Sequence, residues 1–269
     1  MLTFPNAKIN IGLHITAKRA DGFHNLESCF YPVGWSDALE ILPAEKLSFQ
    51  SSGIAIPGDP NHNLCLKAYQ LLKADFDLPP VQIHLHKVVP IGAGMGGGSS
   101  DGAFTIKTLN QLFELSLSTE AMQNYARKLG SDCAFFIENK AQFCFGKGDE
   151  FEDIRVDLAG KTLVLVNPMI HISTAEAYSG VKPQAPAIHL PEALAAPIET
   201  WKNSVVNDFE KHLLPKYPAI AQVKEELYTL GASYASMTGS GSTVFGIFDN
   251  NIALNQAFSN YMVWQGILN

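Results

Sequence analysis

Between Pro90 and Gly102 the chain reads Pro-Ile-Gly-Ala-Gly-Met-Gly-Gly-Gly-Ser-Ser-Asp-Gly. Residues without side chains let backbone N–H groups come close to a ligand, and two hydroxyls and a carboxylate follow at once. The chemistry suited to such a stretch is the holding of phosphate. Unpaired amides at a helix N-terminus would do it, with the positive end of the helix dipole behind them. Two other settings stand out. In Leu129-Gly-Ser-Asp132-Cys-Ala-Phe-Phe-Ile137 a carboxylate stands beside an apolar run; a loop Asp is ordinarily a turn former, and that much apolar surface is unusual for the role. Lys8, Asn10 and His14 share one face of a predicted strand whose other face carries Ile9, Ile11, Leu13 and Ile15. Taken alone, polar residues in that position face water.

The elements that must position these groups are legible around them. Val81 to Val89 alternates and is rich in β-branched residues, which predicts a strand entering the glycines. Ala103, Ile106, Leu109, Leu112 and Phe113 then recur at helical spacing, with Ser99, Ser100 and Asp101 as capping residues. Gly92, Gly94 and Gly97 satisfy G-x-G-x-x-G, but that short pattern is weak evidence for a dinucleotide fold. The Rossmann version sits on a chain's first strand, without a preceding proline and without the Gly-Gly-Gly-Ser-Ser ending. No Gly-Lys-Ser/Thr follows, so the stretch is not a Walker A loop. His84 and His86 share a strand face, and with no third ligand in view they read as solvated rather than metal-binding.

Elsewhere, Asp21 to His24 is a turn and Leu26 to Trp35 a strand. Asn61-His-Asn63 caps a helix through Leu64, Ala68 and Leu72, and Ser118 caps another that Gly130 stops. The pattern restarts near residue 155, where Lys161 to Asn167 is a buried strand and Ser173-Thr-Ala-Glu176 a capping box. A proline-rich irregular connection runs over 181–197, with helices expected at about 198–214 and 218–230. Two strands frame the small-residue loop Met237 to Thr243, and a helix near 251–260 and a strand at 262–268 close the chain. That loop is either a plain hairpin turn or a backbone surface for phosphates or for the first glycine loop. Helices and strands mix without regular βα alternation, which predicts an α+β fold in two domains, 1–155 and 156–269.

Composition narrows the function classes. The chain has 269 residues, 46% hydrophobic and 17% charged, enough for one large or two ordinary folded domains. A net charge of −7 supplies no basic stripe for nucleic acid or a membrane surface, so an anionic ligand must be held by local groups. Cys29, Cys65, Cys133 and Cys144 lack C-x-x-C pairing and zinc spacing. With no signal-peptide pattern and no apolar run of about 18 residues, the expectation is a cytoplasmic protein with reduced thiols.

Three stretches then point the same way. Asn6-Ala-Lys-Ile-Asn10, Pro90 to Ser100, and Met237-Thr-Gly-Ser-Gly-Ser-Thr243 are spaced as in the GHMP kinases, which the chain resembles over essentially its full length. Arg19-Ala-Asp-Gly-Phe-His24, Leu129-Gly-Ser-Asp132 and Asn207-Asp208 select the branch acting on a cytidyl diphosphate sugar alcohol. The resemblance implies ATP-dependent phosphorylation of a 2-hydroxyl on that substrate's erythritol part, in the non-mevalonate route to isoprenoid precursors. It implies an N-terminal domain like ribosomal protein S5 domain 2 and a ferredoxin-like C-terminal domain, with the active site in the cleft.

Residue by residue, Lys8 and Asp132 match the family's catalytic pair. Pro90, Ile91, Gly92, Ala93, Gly94, Met95, Gly96, Gly97, Gly98, Ser99 and Ser100 match its ATP loop. Asn63, Leu64 and Lys87 match positions around the nucleotide, and Asn10, His24, Phe30 and Thr174 positions near the cytidyl substrate. Phe23 and Tyr178 match an aromatic pair that sandwiches the cytosine, with Phe where Tyr is frequent and Tyr where Phe is known; stacking needs a π-face more than a hydroxyl. Mg²⁺ is the expected companion of ATP, and Ser100 is the protein ligand to nominate, since Mg²⁺ keeps waters and phosphates as ligands. A monomer or weak homodimer is expected. The rival readings are a homoserine or mevalonate type of GHMP kinase, which has no base to stack, and a non-catalytic nucleotide sensor, against which the intact Lys8 and Asp132 argue.

Overall fold

The computed structural model describes residues 1–254 and 256–268. In chain order the strands and helices are β1 (Leu2–Thr3), β2 (Asn6–Lys18), β3 (His24–Ser36), β4 (Ala38–Pro43), β5 (Ser48–Gly53), α1 (Leu64–Lys73), β6 (Val81–Lys87), α2 (Gly97–Leu112), α3 (Thr119–Leu129), α4 (Phe135–Glu138), β7 (Gln142–Phe145) and β8 (Glu150–Asp153). They continue as β9 (Thr162–Asn167), α5 (Thr174–Ser179), α6 (Leu190–Ala195), α7 (Trp201–Ser204), α8 (Glu210–Lys216), α9 (Pro218–Thr229), β10 (Tyr234–Met237), β11 (Val244–Phe248) and β12 (Met262–Ile267). The chain is thus of mixed α and β structure.

It forms two compact units that are not contiguous in sequence. The first takes Met1–Lys8, Trp35–Ile91 and Gly96–Lys140. Its sheet runs β1-β4-β6-β5, antiparallel except where β5 joins β6 in parallel. Leu39, Ile41, Ile83 and Leu85 alternate inward and are fully buried, as are Ala68, Leu72, Ala103, Ile106 and Leu109 on α1 and α2. A Cβ on Gly102 would lie 3.1 Å from Leu64 Cβ, which shows how closely those helices approach.

The second unit takes Ile9–Gly34, Gly92–Met95 and Ala141 onward. One sheet runs β10-β11-β9-β12, antiparallel throughout, and another β2-β3-β7-β8. β9 is central, and Leu163, Val164, Leu165 and Val166 are all fully buried, as its unbroken apolar run requires. All the cysteines are buried free thiols. Among the described residues, no helix is long and apolar enough to cross a membrane.

Local sequence rules place Asn63, Ser118 and Ser173 as N-caps of α1, α3 and α5, each accepting a first-turn N–H. Four expectations need correction. α2 is not capped by Ser99, Ser100 or Asp101, which lie inside it; its cap is Gly96 in the left-handed region at φ 67°, with no side-chain hydrogen bond. The expected 198–214 helix breaks after Ser204, because Val206 and Asp208 pair with Leu13 in backbone hydrogen bonds of 2.8 Å and Asn207 turns its amide to other carbonyls. The connection over 181–197 contains the short α6. The closing helix is only a 3-10 turn at Gln256–Phe258, and Asn255 lies outside the described residues. β2 also departs from simple alternation. Lys8, Asn10 and His14 are as buried as the isoleucines beside them, so neither face of the strand meets water there.

Candidate phosphate-binding and phosphoryl-transfer site

β6 delivers the chain into the glycine loop and α2 receives it. Gly96 supplies the left-handed turn that starts the helix. With no side chain capping them, the first amides of α2 stay available to an anion at the positive end of the dipole. Their surroundings are graded. A Cβ on Gly97 would lie 3.1 Å from both Lys87 Nζ and Val89 Cγ1, whereas one on Gly98 would meet no atom within 4 Å. Ile91 is exposed, while Pro90, Ala93, Met95 and Ser100 are buried and Ser99 is half-buried.

Lys8 and Asp132 meet beside this helix start. Lys8 Nζ is 3.5 Å from Asp132 Oδ2, with the lysine side chain 4% exposed and the aspartate 32%. The lysine stem runs past the loop, since a Cβ on Gly96 would be 3.2 Å from Lys8 Cε and 3.1 Å from Phe136 Cζ. Asp132 occupies a 3-10 turn, Ser131–Cys133, that follows Gly130, and the apolar run after it is helical and fully enclosed at Phe135 and Phe136. The result is a buried ammonium and a half-open carboxylate next to uncapped amides. Burial also pushes the neighbouring Cys133 thiol up to about 12, so it is no nucleophile at neutral pH.

The nucleotide candidates are placed differently from one another. Lys87 is buried and donates to two carboxylates, Asp37 Oδ2 and Asp101 Oδ2, the latter at 2.8 Å. Burial first, then Asp37, raises the Asp101 carboxyl to about 7 against the opposing pull of Lys87. Asp37 escaped the sequence reading, because nothing in Ser36-Asp37-Ala38 distinguishes it from a turn aspartate. Asn63 accepts Cys65 N–H at 2.8 Å as the α1 cap, and Leu64 packs on Gly102. Ser100 Oγ is buried with no hydrogen-bond partner among the described residues. Among the described residues no group of three or more His, Cys, Asp or Glu side chains is arranged to hold a metal. His84 Nε2 and His86 Nδ1 lie 3.1 and 2.9 Å from Ser52 Oγ.

In the second unit the small-residue loop after β10 packs backbone to backbone on Gly94. A Cβ on Gly94 would overlap the Thr238 carbonyl oxygen, and one on Gly239 would be 2.8 Å from Gly94 O. The loop closes the antiparallel hairpin of β10 and β11, with Thr238 N–H donating to Thr243 O at 2.9 Å, and its backbone also lies against Gly94 of the first glycine loop. Thr238 Oγ1 lies 3.1 Å from Gly94 O and accepts the N–H of Asn10 at 3.0 Å. Asn207 Nδ2 donates to Met237 O and Gly239 O at 2.7 and 2.9 Å, and Glu210 Oε1 accepts Met237 N–H at 2.7 Å. Asn207 therefore has a visible task, bracing the second loop.

The cytidyl candidates lie in this unit as well. Asn10 is buried and donates to Ser28 Oγ at 2.9 Å, and Phe30 is buried with its ring 6.3 Å from that of Phe151. Thr174 is exposed at the first turn of α5. Tyr178 stacks on His24, with ring centroids 4.9 Å apart and planes 29° apart, and meets Phe209 edge-on at 5.0 Å. Phe23 is 61% exposed, with Lys147 Nζ 5.7 Å from its ring centroid. So the stack seen at Tyr178 is with His24, next in sequence to the expected Phe23.

Comparison with known proteins gives the family. The GHMP kinases N terminal domain family matches residues 63–140 and the GHMP kinases C terminal family residues 189–261. A 4-diphosphocytidyl-2-C-methyl-D-erythritol kinase of Cytophaga hutchinsonii is 54% identical over 93% of each chain. A crystal structure of 4-(cytidine 5'-diphospho)-2C-methyl-D-erythritol kinase superposes with a TM-score of 0.83 at 27% identity, covering 100% of this chain and 99% of that one. The Methanococcus jannaschii mevalonate kinase, at 14% identity and TM-score 0.69 over 100% of this chain and 98% of its own, shares the fold alone. Set beside the uncapped helix start and its Lys8–Asp132 pair, the 54% identity over nearly the whole length leaves one conclusion: the chain belongs to the 4-diphosphocytidyl-2-C-methyl-D-erythritol kinase family of GHMP kinases.

Proposed function

We propose that this chain transfers the γ-phosphoryl group of ATP to the 2-hydroxyl of 4-diphosphocytidyl-2-C-methyl-D-erythritol, giving the 2-phosphate and ADP in non-mevalonate isoprenoid precursor biosynthesis. The observation that supports it most directly is the meeting of Lys8, Asp132 and the uncapped start of α2 around Gly96. Phosphoryl transfer asks little covalent chemistry of a protein; it asks for positioning and charge stabilisation. In this reading Pro90 to Ser100, with Asn63, Leu64 and Lys87, form the ATP site, and the α2 amides face phosphate oxygens. Asp132 accepts the proton of the attacking hydroxyl as its oxygen bonds to the γ-phosphorus and the bond to the β,γ-bridging oxygen breaks. General-base help of this kind is worth roughly 10²–10⁴-fold. Lys8 supplies a fixed positive charge beside that carboxylate and the transferring group.

Asn10, Phe23, His24, Phe30, Thr174 and Tyr178 hold the cytidyl part. Tyr178 already carries a stacked ring, His24, so entry of a cytosine exchanges one π-face for another. Mg²⁺ would be held by Ser100, whose buried hydroxyl has no partner among the described residues, and would neutralise phosphate charge. The fold reading that accompanies this is a part like ribosomal protein S5 domain 2 over 1–155 and a ferredoxin-like part over 156–269, in a cytoplasmic monomer or weak homodimer.

The test is incubation with Mg·ATP and 4-diphosphocytidyl-2-C-methyl-D-erythritol, following ADP release and the new phosphorus resonance by NMR. Homoserine and mevalonate run in parallel, with Asp132→Asn as control. A new monophosphate ester on the erythritol, absent in the Asp132→Asn protein, is the expected result. Turnover of another alcohol instead would overturn the substrate, and ATP binding without any turnover would overturn the enzyme reading.

A further inference from the structure

Lys87 ends β6, and its ammonium is shared by buried carboxylates from two different places: Asp37, in the link between β3 and β4, and Asp101, inside α2. Asp37 does more than hold the lysine. Its Oδ1 accepts the N–H of Val88 at 2.6 Å and of Val89 at 2.8 Å, the residues that lead into Pro90. On the far side of the loop, Lys87 Nζ donates to Asp101 Oδ2 at 2.8 Å and lies 3.1 Å from where a Gly97 Cβ would stand. The limb entering the loop and the helix leaving it are therefore fastened to one another beneath it.

A buried cation with two carboxylates contributes little net stability, because desolvation offsets most of its attraction. What it supplies is geometry. A glycine-rich segment loses much conformational freedom when it orders, and a binding site gains affinity when that ordering precedes the ligand. We propose that Asp37 is a positioning residue for the glycine loop: through the Val88 and Val89 amides and the Lys87–Asp101 link it fixes both ends of the loop, so that the loop's amides are set for ATP before ATP arrives. This rests on the reading of that loop as the ATP site.

The experiment is steady-state kinetics of Asp37→Asn, Asp37→Ala and Asp101→Asn, with ATP and the alcohol substrate varied separately and folding checked by circular dichroism. Asp37→Asn keeps an oxygen for the Val88 and Val89 amides but loses the charge facing Lys87, and Asp37→Ala loses both. The expected result is a KM for ATP raised about tenfold in Asp37→Asn and more in Asp37→Ala, with kcat and the KM for the alcohol changed less than about threefold. A smaller rise is expected in Asp101→Asn, which keeps a carbonyl acceptor for Lys87. Should Asp37→Ala not fold, the two Asn variants carry the test. Folded Asn variants with a wild-type KM for ATP, or with only kcat reduced, would overturn the proposal. Gly98→Ala separates the two layers. If it leaves the KM for ATP unchanged, the loop is not the ATP site and the proposal falls with that reading. If it raises that KM and the Asp variants do not, the site stands and the brace is refuted.

Discussion

Gly98→Ala sets folding and function against each other. Gly98 lies in the first turn of α2, has no left-handed φ, and a Cβ built on it meets no atom within 4 Å. Nothing in the fold requires glycine there. Alanine is favoured over glycine within a helix by about 0.8–1 kcal/mol, and less near an end, so the variant should be as stable as the parent or slightly more so. For a chain of this size that corresponds to a melting temperature unchanged or raised by up to about 3 °C. If this loop is the ATP site, as proposed, the same methyl is added to the uncapped first turn of α2, where phosphate oxygens must come within about 2.9 Å of backbone nitrogen. Losing one hydrogen bond to a charged group costs about 1.5–3 kcal/mol, which is about 10- to 150-fold in the KM for ATP. The assay is thermal unfolding beside kinetics at varied ATP and saturating alcohol. A variant with parental stability and a parental KM for ATP would refute the reasoning, because it would show that phosphate does not bind at this turn. A variant that unfolds early would refute the structural half.

Other perturbations follow from the same geometry. Asp132→Asn removes the proposed proton acceptor without removing side-chain volume, so kcat should fall by roughly 10²–10⁴-fold with the KM for ATP nearly unchanged; a kcat within tenfold of the parent would sink the general-base role. Gly94→Ala should destabilise outright, because φ is +79° and the new Cβ would overlap the Thr238 carbonyl oxygen; urea denaturation showing parental stability would contradict that contact. Asp101 carries a pH signature. Burial and Asp37 push its carboxyl up to about 7, so between about pH 4 and that value the folded chain keeps a proton that the unfolded chain has released, and this contribution to stability is lost as pH rises. The stability of Asp101→Asn relative to the parent should therefore increase from pH 5 to pH 8 in urea melts, and a difference constant across that window would contradict the assignment.

What the sequence made legible was what is local. Asn63, Ser118 and Ser173 cap their helices through bonds spanning two or three residues, so the pattern that encodes the cap is the cap itself. The framing of the glycine loop by a strand and a helix was legible because alternation over Val81 to Val89 and helical spacing from Ala103 to Leu112 are local patterns. The burial of Lys8, Asn10 and His14 was not, since alternation in β2 implies one wet face, and only the tertiary fold encloses both. Helix 198–214 was misread for a similar reason: Asn207 answers to Leu13, Met237 and Gly239, none of which lies near it in sequence.

The loop shows where the limit lies even in its most legible stretch. In the sequence its glycines are equivalent. In the structure Gly96 is needed for a left-handed turn, Gly94 because another backbone touches it, and Gly97 because Lys87 and Val89 stand where a side chain would go, while among the described residues a Cβ on Gly98 would meet nothing within 4 Å outside its own helix. A glycine that the fold explains says nothing about a ligand. Gly98 differs in that the fold does not account for it: it stands in the uncapped first turn of α2, so a side chain there is tested by ATP kinetics and not by stability. Asp37 is the converse: invisible beside Ser36 and Ala38, yet bound to three groups about fifty residues downstream, so that its place beneath the glycine loop is a property of the fold and of nothing shorter.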